Sequence, residues 1–235
     1  MTTDKLKYFY AVIPLTYLLF GRQMLGSLDF VSGLELYIVY KWGFVLLLLG
    51  GVVYFKKRVE TGLTFSVNWT LVKLYWPFVL LIGYQFYKIE DYPDAELLFK
   101  LGLLALSVGL IEEIFFRGIL LYLFRKRTHL HQVLYSSVIF SLAHSLNLLS
   151  GFDFSIVLLH FLAAFAIGVL LAILRLKDQS LILVIVTHSL INYSDFLFNG
   201  ARGERLLSSQ MLFEWIVPSM VFLAWAGYLL FKKKP

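Results

Sequence analysis

The sequence predicts an all-α, polytopic membrane protein of about eight transmembrane helices, with both termini in the cytoplasm. Three observations carry this. First, of 235 residues 60% are hydrophobic and only 15% charged, with mean hydropathy +0.78; a soluble domain is nearer half apolar and a quarter charged. Second, the apolar residues fall into eight runs, roughly 8–24, 34–55, 69–87, 97–124, 132–149, 155–174, 180–198 and 211–231. Most approach the roughly 20 residues that cross a bilayer core of about 30 Å. Third, the basic residues are distributed unevenly between the two ends of these runs.

The first run is the weakest of the eight. Lysines followed by apolar residues from Tyr8 to Phe20 look like a signal peptide. No small-x-small cleavage site follows, however, so a retained first helix is expected. With the N-terminus in the cytoplasm, that side collects Lys5, Lys7, Lys56, Lys57, Arg58, Arg125, Lys126, Arg127, Arg175, Lys177 and Lys232 to Lys234. The other side receives Arg22, Lys88, Lys100, Arg202 and Arg205, while Lys41, Lys73 and Arg117 lie within runs. This is the positive-inside asymmetry, and it supports an even number of spans, because both termini fall on the same side. The net charge of +6 therefore reads as topology signal and headgroup contact, not as a nucleic-acid surface. The absence of cysteine excludes disulfides, thiolate ligands and a cysteine nucleophile. No repeat or soluble domain interrupts the chain, so residues 1–235 are expected to form a single integral membrane domain. The 22 Phe and 14 Tyr suit bundle packing and interfacial belts.

One stretch stands out. Ile111-Glu112-Glu113-Ile114-Phe115-Phe116-Arg117-Gly118 places three ionisable side chains in an otherwise apolar run. Charge at bilayer depth is expensive and is a functional-site hypothesis by default. On an α-helix Glu113 and Arg117 stand at i, i+4 and can pair, with Glu112 about 100° round the axis, facing a different partner. At about 1.5 Å rise per residue, Glu112 lies roughly 20 Å in from the Arg125 boundary, and His144 about 20 Å from the His131 boundary. His188 and Asn192, counted from Asp178, lie roughly 15 and 21 Å deep and share a helix face. Three helices thus offer Glu, His, His and Asn near one level. His160 has similar depth but no local pattern and reads as a helix–helix partner. His129 and His131 read as solvated turn residues, and Asn147 as polar glue near a helix end.

A carboxylate and a histidine sharing a water can act as general base toward a carbonyl. A second histidine and an amide can donate to the developing oxyanion. That combination suits amide hydrolysis without a covalent intermediate. Glu112, His144 and His188 are also an admissible zinc set, two His plus one carboxylate. Neither an H-E-x-x-H helix nor a G-x-S-x-G elbow is present.

Glu112-Glu113-x-x-x-Arg117, Phe140-x-x-x-His144 and His188-x-x-x-Asn192 resemble, in order, the three motifs of the CPBP family. These are the CAAX prenyl proteases and bacteriocin-processing proteins, also called Abi or glutamic intramembrane proteases. The resemblance covers about residues 97–198, which would be the catalytic core. It implies an eight-helix layout and a membrane-embedded site facing the cytoplasm. It implies further that Glu112 activates water with His144 assisting, that His188 and Asn192 form the oxyanion site, and that Glu113, Arg117 and Phe140 support them. It favours a mechanism without a metal or other cofactor. The expected partners are the bilayer and a membrane-associated protein or peptide, and the expected location is the cell membrane if the source is prokaryotic. In the eukaryotic branch the substrates are prenylated CAAX proteins; bacterial relatives process bacteriocin leaders, confer immunity or remove C-terminal sorting anchors. The alternatives are a non-catalytic scaffold or immunity protein using the same polar cavity, and a proton-coupled carrier. The carrier lacks the internal repeat and paired broken helices expected of one.

Overall fold

The computed structural model of the chain describes residues 30–64, 66–145, 153–200 and 209–232. The run at 8–24 and Asn147 lie outside them. The described chain is helical, without strands: α1 Phe30–Tyr54, α2 Arg58–Thr61, a 3-10 stretch Trp69–Tyr75 leading into α3 Trp76–Tyr87, α4 Ala95–Glu112, a π-helical turn Glu113–Leu120, α5 Leu121–Leu123, α6 His129–Ser145, α7 Phe154–Asp178, α8 Ile182–Gly200 and α9 Ser209–Phe231. Each of the other seven apolar runs coincides with helix. Gly33–Tyr54, Phe154–Asp178 and Leu212–Phe231 are long and apolar enough to cross a membrane, and Ile182–Phe198 is apolar but shorter. The architecture is that of a polytopic membrane protein.

Local chemistry sets the helix starts. The Asp94 side chain accepts from Leu97 N at 2.8 Å and the Asp153 side chain from Ser155 N at 2.8 Å, each satisfying an orphan N–H of a first turn. Pro77 sits in the first turn of α3, where its missing N–H costs nothing. Pro218 lies inside α9; in a membrane helix such a break is tolerated where side chains take up freed backbone groups, and next to it Ser219 Oγ donates to the Trp215 carbonyl at 2.6 Å.

Two regions depart from the α-helices expected from the sequence. The run at 69–87 begins as 3-10 helix and becomes α only at Trp76. The run at 97–124 is one continuous rod, but its charged stretch is wound as a π turn of eight residues. Such turns are frequent at functional sites. Winding more residues per turn, it changes the azimuths of Glu113 and Arg117 from the α values while keeping them near one face. Ser136 Oγ donates to the Phe116 carbonyl inside this turn, at 2.9 Å.

α1 and the rod at 95–123 run parallel. Lys100 Nζ meets Glu35 at 2.8 Å near their starts, and Lys57 Nζ lies 5.4 Å from the Tyr122 ring near their ends. The basic turns after α1 and after α5 therefore share one end of the bundle. The C-terminus of α7 joins them. A Cβ on Gly62, whose φ is +77°, would collide with the Arg175 guanidinium, and Leu181 N donates to the Gly62 carbonyl at 2.9 Å. α3 packs on α9 through Phe78 and Phe222, with ring centroids 4.8 Å apart, and on α8 through Ser194 Oγ, which donates to Gln85 Oε1 at 2.6 Å. The core joins Val45, Leu48, Ile111, Ile114, Leu170, Leu171, Val184 and Phe222, which anchors the π turn among α1, α7, α8 and α9.

Candidate active site

Glu113 and Arg117 come first because nothing of either side chain is exposed. Arg117 Nη1 lies 2.7 Å from Glu113 Oε1, the local pair the spacing predicts. The guanidinium carbon sits 4.2 Å over the Phe140 ring of α6 and 5.9 Å from the Phe116 ring. A desolvated cation over an aromatic face gains about 2 kcal/mol, so the first sequence motif is joined to the second by a cation–π contact. Gly168 of α7 permits this stacking: a Cβ there would press on Phe140, Ser137 and Arg117 at 3.2–3.4 Å.

The same carboxylate oxygen reaches the third motif. His188 Nδ1 lies 2.6 Å from Glu113 Oε1. A carboxylate held by an arginine only accepts, so Nδ1 carries the proton and donates it. Nε2 is thereby aimed at Glu112, whose Oε2 stands 3.6 Å away. That separation is too long for a direct hydrogen bond and fits one bridged by a small group such as water. Glu112 Oε2 is buried without a hydrogen-bond partner among the described residues, although the side chain as a whole is 18% exposed. One imidazole therefore spans two adjacent carboxylates, one tied down and one not.

The approach of α8 to α4 that makes this possible depends on Gly109. A Cβ there would collide with Ser189 Oγ and come within 3.0 Å of Ser189 N, one residue past His188. Gly109 and Gly168 escaped the sequence reading; a glycine one turn before Glu112 was the available signal, since interfaces between membrane helices favour small residues.

His144 and Asn192 meet His188 at a cleft. A cleft of about 220 Å³ is lined by His144, His188, Asn192 and Phe140 and, facing them, by Gln85 of α3 and Trp215 of α9. His144 Nδ1 donates to the Phe140 carbonyl at 2.9 Å; a carbonyl can only accept, so Nε2 is the nitrogen left for the cleft. The Phe140 ring separates the two histidines, with centroids 4.5 Å from His144 and 5.8 Å from His188. Asn192 Nδ2 has no hydrogen-bond partner among the described residues. The seven candidate residues thus lie in one neighbourhood, but their pairing differs from the expected one. The histidine facing Glu112 is His188, not His144. Glu113 does more than support its neighbour, because it also fixes the tautomer of His188. His144 does not join Glu112 and His188 in a ligand set, and among the described residues no three His, Asp or Glu side chains stand together as metal ligands.

His160 also lines the cleft. His160 stacks on Trp215 at 4.2 Å, joining α7 to α9. His131 Nδ1 lies 2.6 Å from Thr128 Oγ1 at the exposed start of α6.

Residues 94–194 match the family model described as type II CAAX prenyl endopeptidase Rce1-like. This stretch is a CAAX-protease domain. It begins at the cap of α4, ends within α8, and contains all three motifs. No curated protein and no solved structure matches the chain. At family level this match supports a CAAX-type intramembrane endopeptidase, and such a family implies a membrane-associated peptide substrate and a lipid environment. Gln85 and Trp215 belong to helices outside that domain, so one wall of the cleft is contributed by the rest of the chain.

Proposed function

We propose that the protein is a multi-pass glutamic intramembrane protease that hydrolyses a peptide bond without a covalent intermediate or a metal. The observation that carries this reading is the His188 ring, held by Glu113 at 2.6 Å and facing Glu112 Oε2 at 3.6 Å, at the end of a cleft that also presents His144 and Asn192. A water between Glu112 and His188 is the nucleophile. Glu112 takes its proton as the oxygen attacks the scissile carbonyl carbon. The carbonyl π electrons move to oxygen, and Asn192 Nδ2–H, with His144 once its Nε2 carries a proton, donates to that oxyanion. Collapse re-forms the C=O and breaks C–N, and the leaving nitrogen takes the proton held by the Glu112–His188 pair. Glu113, paired with Arg117, keeps His188 in the Nδ1–H tautomer and orients its ring, the role a carboxylate plays behind a catalytic histidine.

The site faces the cytoplasm in this reading, with both termini on that side. The clustering of the Lys57, Tyr122 and Arg175 ends of three helices supports it, since lysines and arginines gather on the cytoplasmic face.

The test compares the full-length protein with Glu112→Gln, both purified in detergent, on a fluorogenic library of membrane-anchored peptides with and without a zinc chelator. The expected result is cleavage by the wild type, unaffected by chelator and reduced about 10²–10⁴-fold in the variant. Chelator-sensitive cleavage would overturn the metal-free mechanism. Two inactive proteins that both complement a deletion strain would replace the enzyme by a scaffold or immunity protein.

A further inference from the structure

Gln85 belongs to α3, outside the Rce1-like domain, yet it lines the cleft together with His144, His188 and Asn192. It is 8% exposed and is the one side-chain amide among the apolar and aromatic residues of Trp76–Tyr87. Leu81, four residues earlier, lines the same cleft, so one face of α3 looks into it. Gln85 Oε1 accepts from Ser194 Oγ of α8 at 2.6 Å. That hydroxyl lies 2.9 and 3.1 Å from the Leu190 and Ile191 carbonyls, so the carboxamide is pinned beside the turn of α8 that carries Asn192. It arrives from another side, however. At about 100° per residue, Ser194 stands roughly 160° round the helix from Asn192.

The bond to Ser194 does not by itself account for an amide at this position. Ser194 has two backbone carbonyls of its own helix within reach for its single hydrogen. Leu81, Ile191 and Phe222 make the surrounding wall apolar, so a leucine or methionine at position 85 would pack there equally well. What the amide adds is a nitrogen. Oε1 is the nearest of the three acceptors and takes the hydroxyl hydrogen, which leaves Nε2 and its two N–H donors for the cleft. A peptide entering that cleft brings one carbonyl per residue, and each that loses water without gaining a donor is costly. We propose that Gln85 is a substrate-binding residue, whose Nε2–H donates to a main-chain carbonyl beside the scissile bond while Asn192 serves the scissile carbonyl. This rests on the reading of the cleft as the site of peptide hydrolysis. Two amides set on such different sides of α8 serve different carbonyls, and main-chain bonds of this kind give affinity without reading side chains. The part of the chain outside the family domain thus supplies part of the substrate site.

The experiment measures binding apart from cleavage. A fluorescent membrane-anchored peptide from the library is titrated in detergent against the full-length Glu112→Gln protein and against the same protein with Gln85→Met added. The added substitution is expected to weaken binding about three- to tenfold, the loss of one neutral hydrogen bond. The titrations are repeated with peptides in which each carbonyl in turn is replaced by a thiocarbonyl, a weaker acceptor. One position is expected to lose affinity in the Glu112→Gln protein and none once Gln85→Met is added. If no position couples in this way, and Gln85→Met and Ser194→Ala only lower Tm alike, Gln85 is a strut between α3 and α8 and the proposal is overturned. If Gln85→Met does not accumulate, Gln85→Glu in the otherwise wild-type enzyme takes its place. Its carboxyl donates only while protonated, so KM should rise with pH relative to wild type while kcat changes little; a KM that tracks wild type at every pH would refute the contact. Coupling in a protein that cleaves nothing would keep the Gln85 contact and remove the protease. Cleavage without coupling would do the reverse, and a library from which no peptide binds would remove both.

Discussion

Glu112 and Glu113 are neighbours in sequence with the same side chain, yet they occupy opposite regimes. The seam around Glu113 is closed: its carboxylate and the Arg117 guanidinium are wholly buried, a ring covers the cation, and one oxygen receives both Arg117 and His188. The region around Glu112 is open at its margin. Its Oε2 has no bonded partner among the described residues, and the cleft beyond His188 presents an Asn192 donor that also lacks one. The buried pair is fixed by the contacts that meet at Glu113 Oε1, although Glu113 Oε2, Arg117 Nε and Arg117 Nη2 also lack hydrogen-bond partners among the described residues. Glu112 itself does not line the cleft, but its unbonded oxygen faces the imidazole that does. In the proposed mechanism the paired glutamates divide the labour, the one facing the helix seam holding the structure.

The strongest way to break this comparison is Glu113→Gln. It leaves Arg117 buried without its counter-ion, and removing one partner of such a pair costs about 3–5 kcal/mol. Thermal unfolding should show a large drop in Tm for Glu113→Gln and little or none for Glu112→Gln; the reverse order would dissolve the distinction. Next in size is Asn192→Ala, which removes the cleft donor without touching the seam. By analogy with other oxyanion donors it should reduce kcat about 10²–10³-fold with Tm near wild type, and a loss confined to KM would move Asn192 from the oxyanion to substrate binding. The smallest is Gly109→Ala. Its added methyl collides with Ser189, and overpacking of this kind costs about 1–3 kcal/mol. Because the resulting shift of α8 moves His188, activity should fall together with Tm. A Tm loss with undiminished kcat would show that the seam tolerates more slack than the comparison allows.

Much of the site was legible before any coordinates. The Glu113–Arg117 pair is local, and either an α or a π turn brings residues four apart near one face. The common depth of Glu112, His144, His188 and Asn192 follows from helix rise, which is nearly independent of sequence. The three motifs are short enough to be read residue by residue. The helical runs were equally legible, since a chain in lipid must satisfy its backbone within each segment and apolar length suffices to find them.

Azimuth and register were decided elsewhere. Lipid is as apolar as the bundle interior, so hydrophobic periodicity weakly marks which face of a membrane helix turns inward. The π turn then changes the azimuths that an α-helix would give. Which histidine meets which glutamate depended on the close pass of α4 and α8 at Gly109 and on the stacking of Arg117 under Phe140. These contacts join positions far apart in the chain, 75 residues in the case of Glu113 and His188. Depth and residue type were thus sequence properties, because they follow from one helix at a time. Partnership was a tertiary property, because it depends on how helices with nearly uniform apolar surfaces rotate against one another.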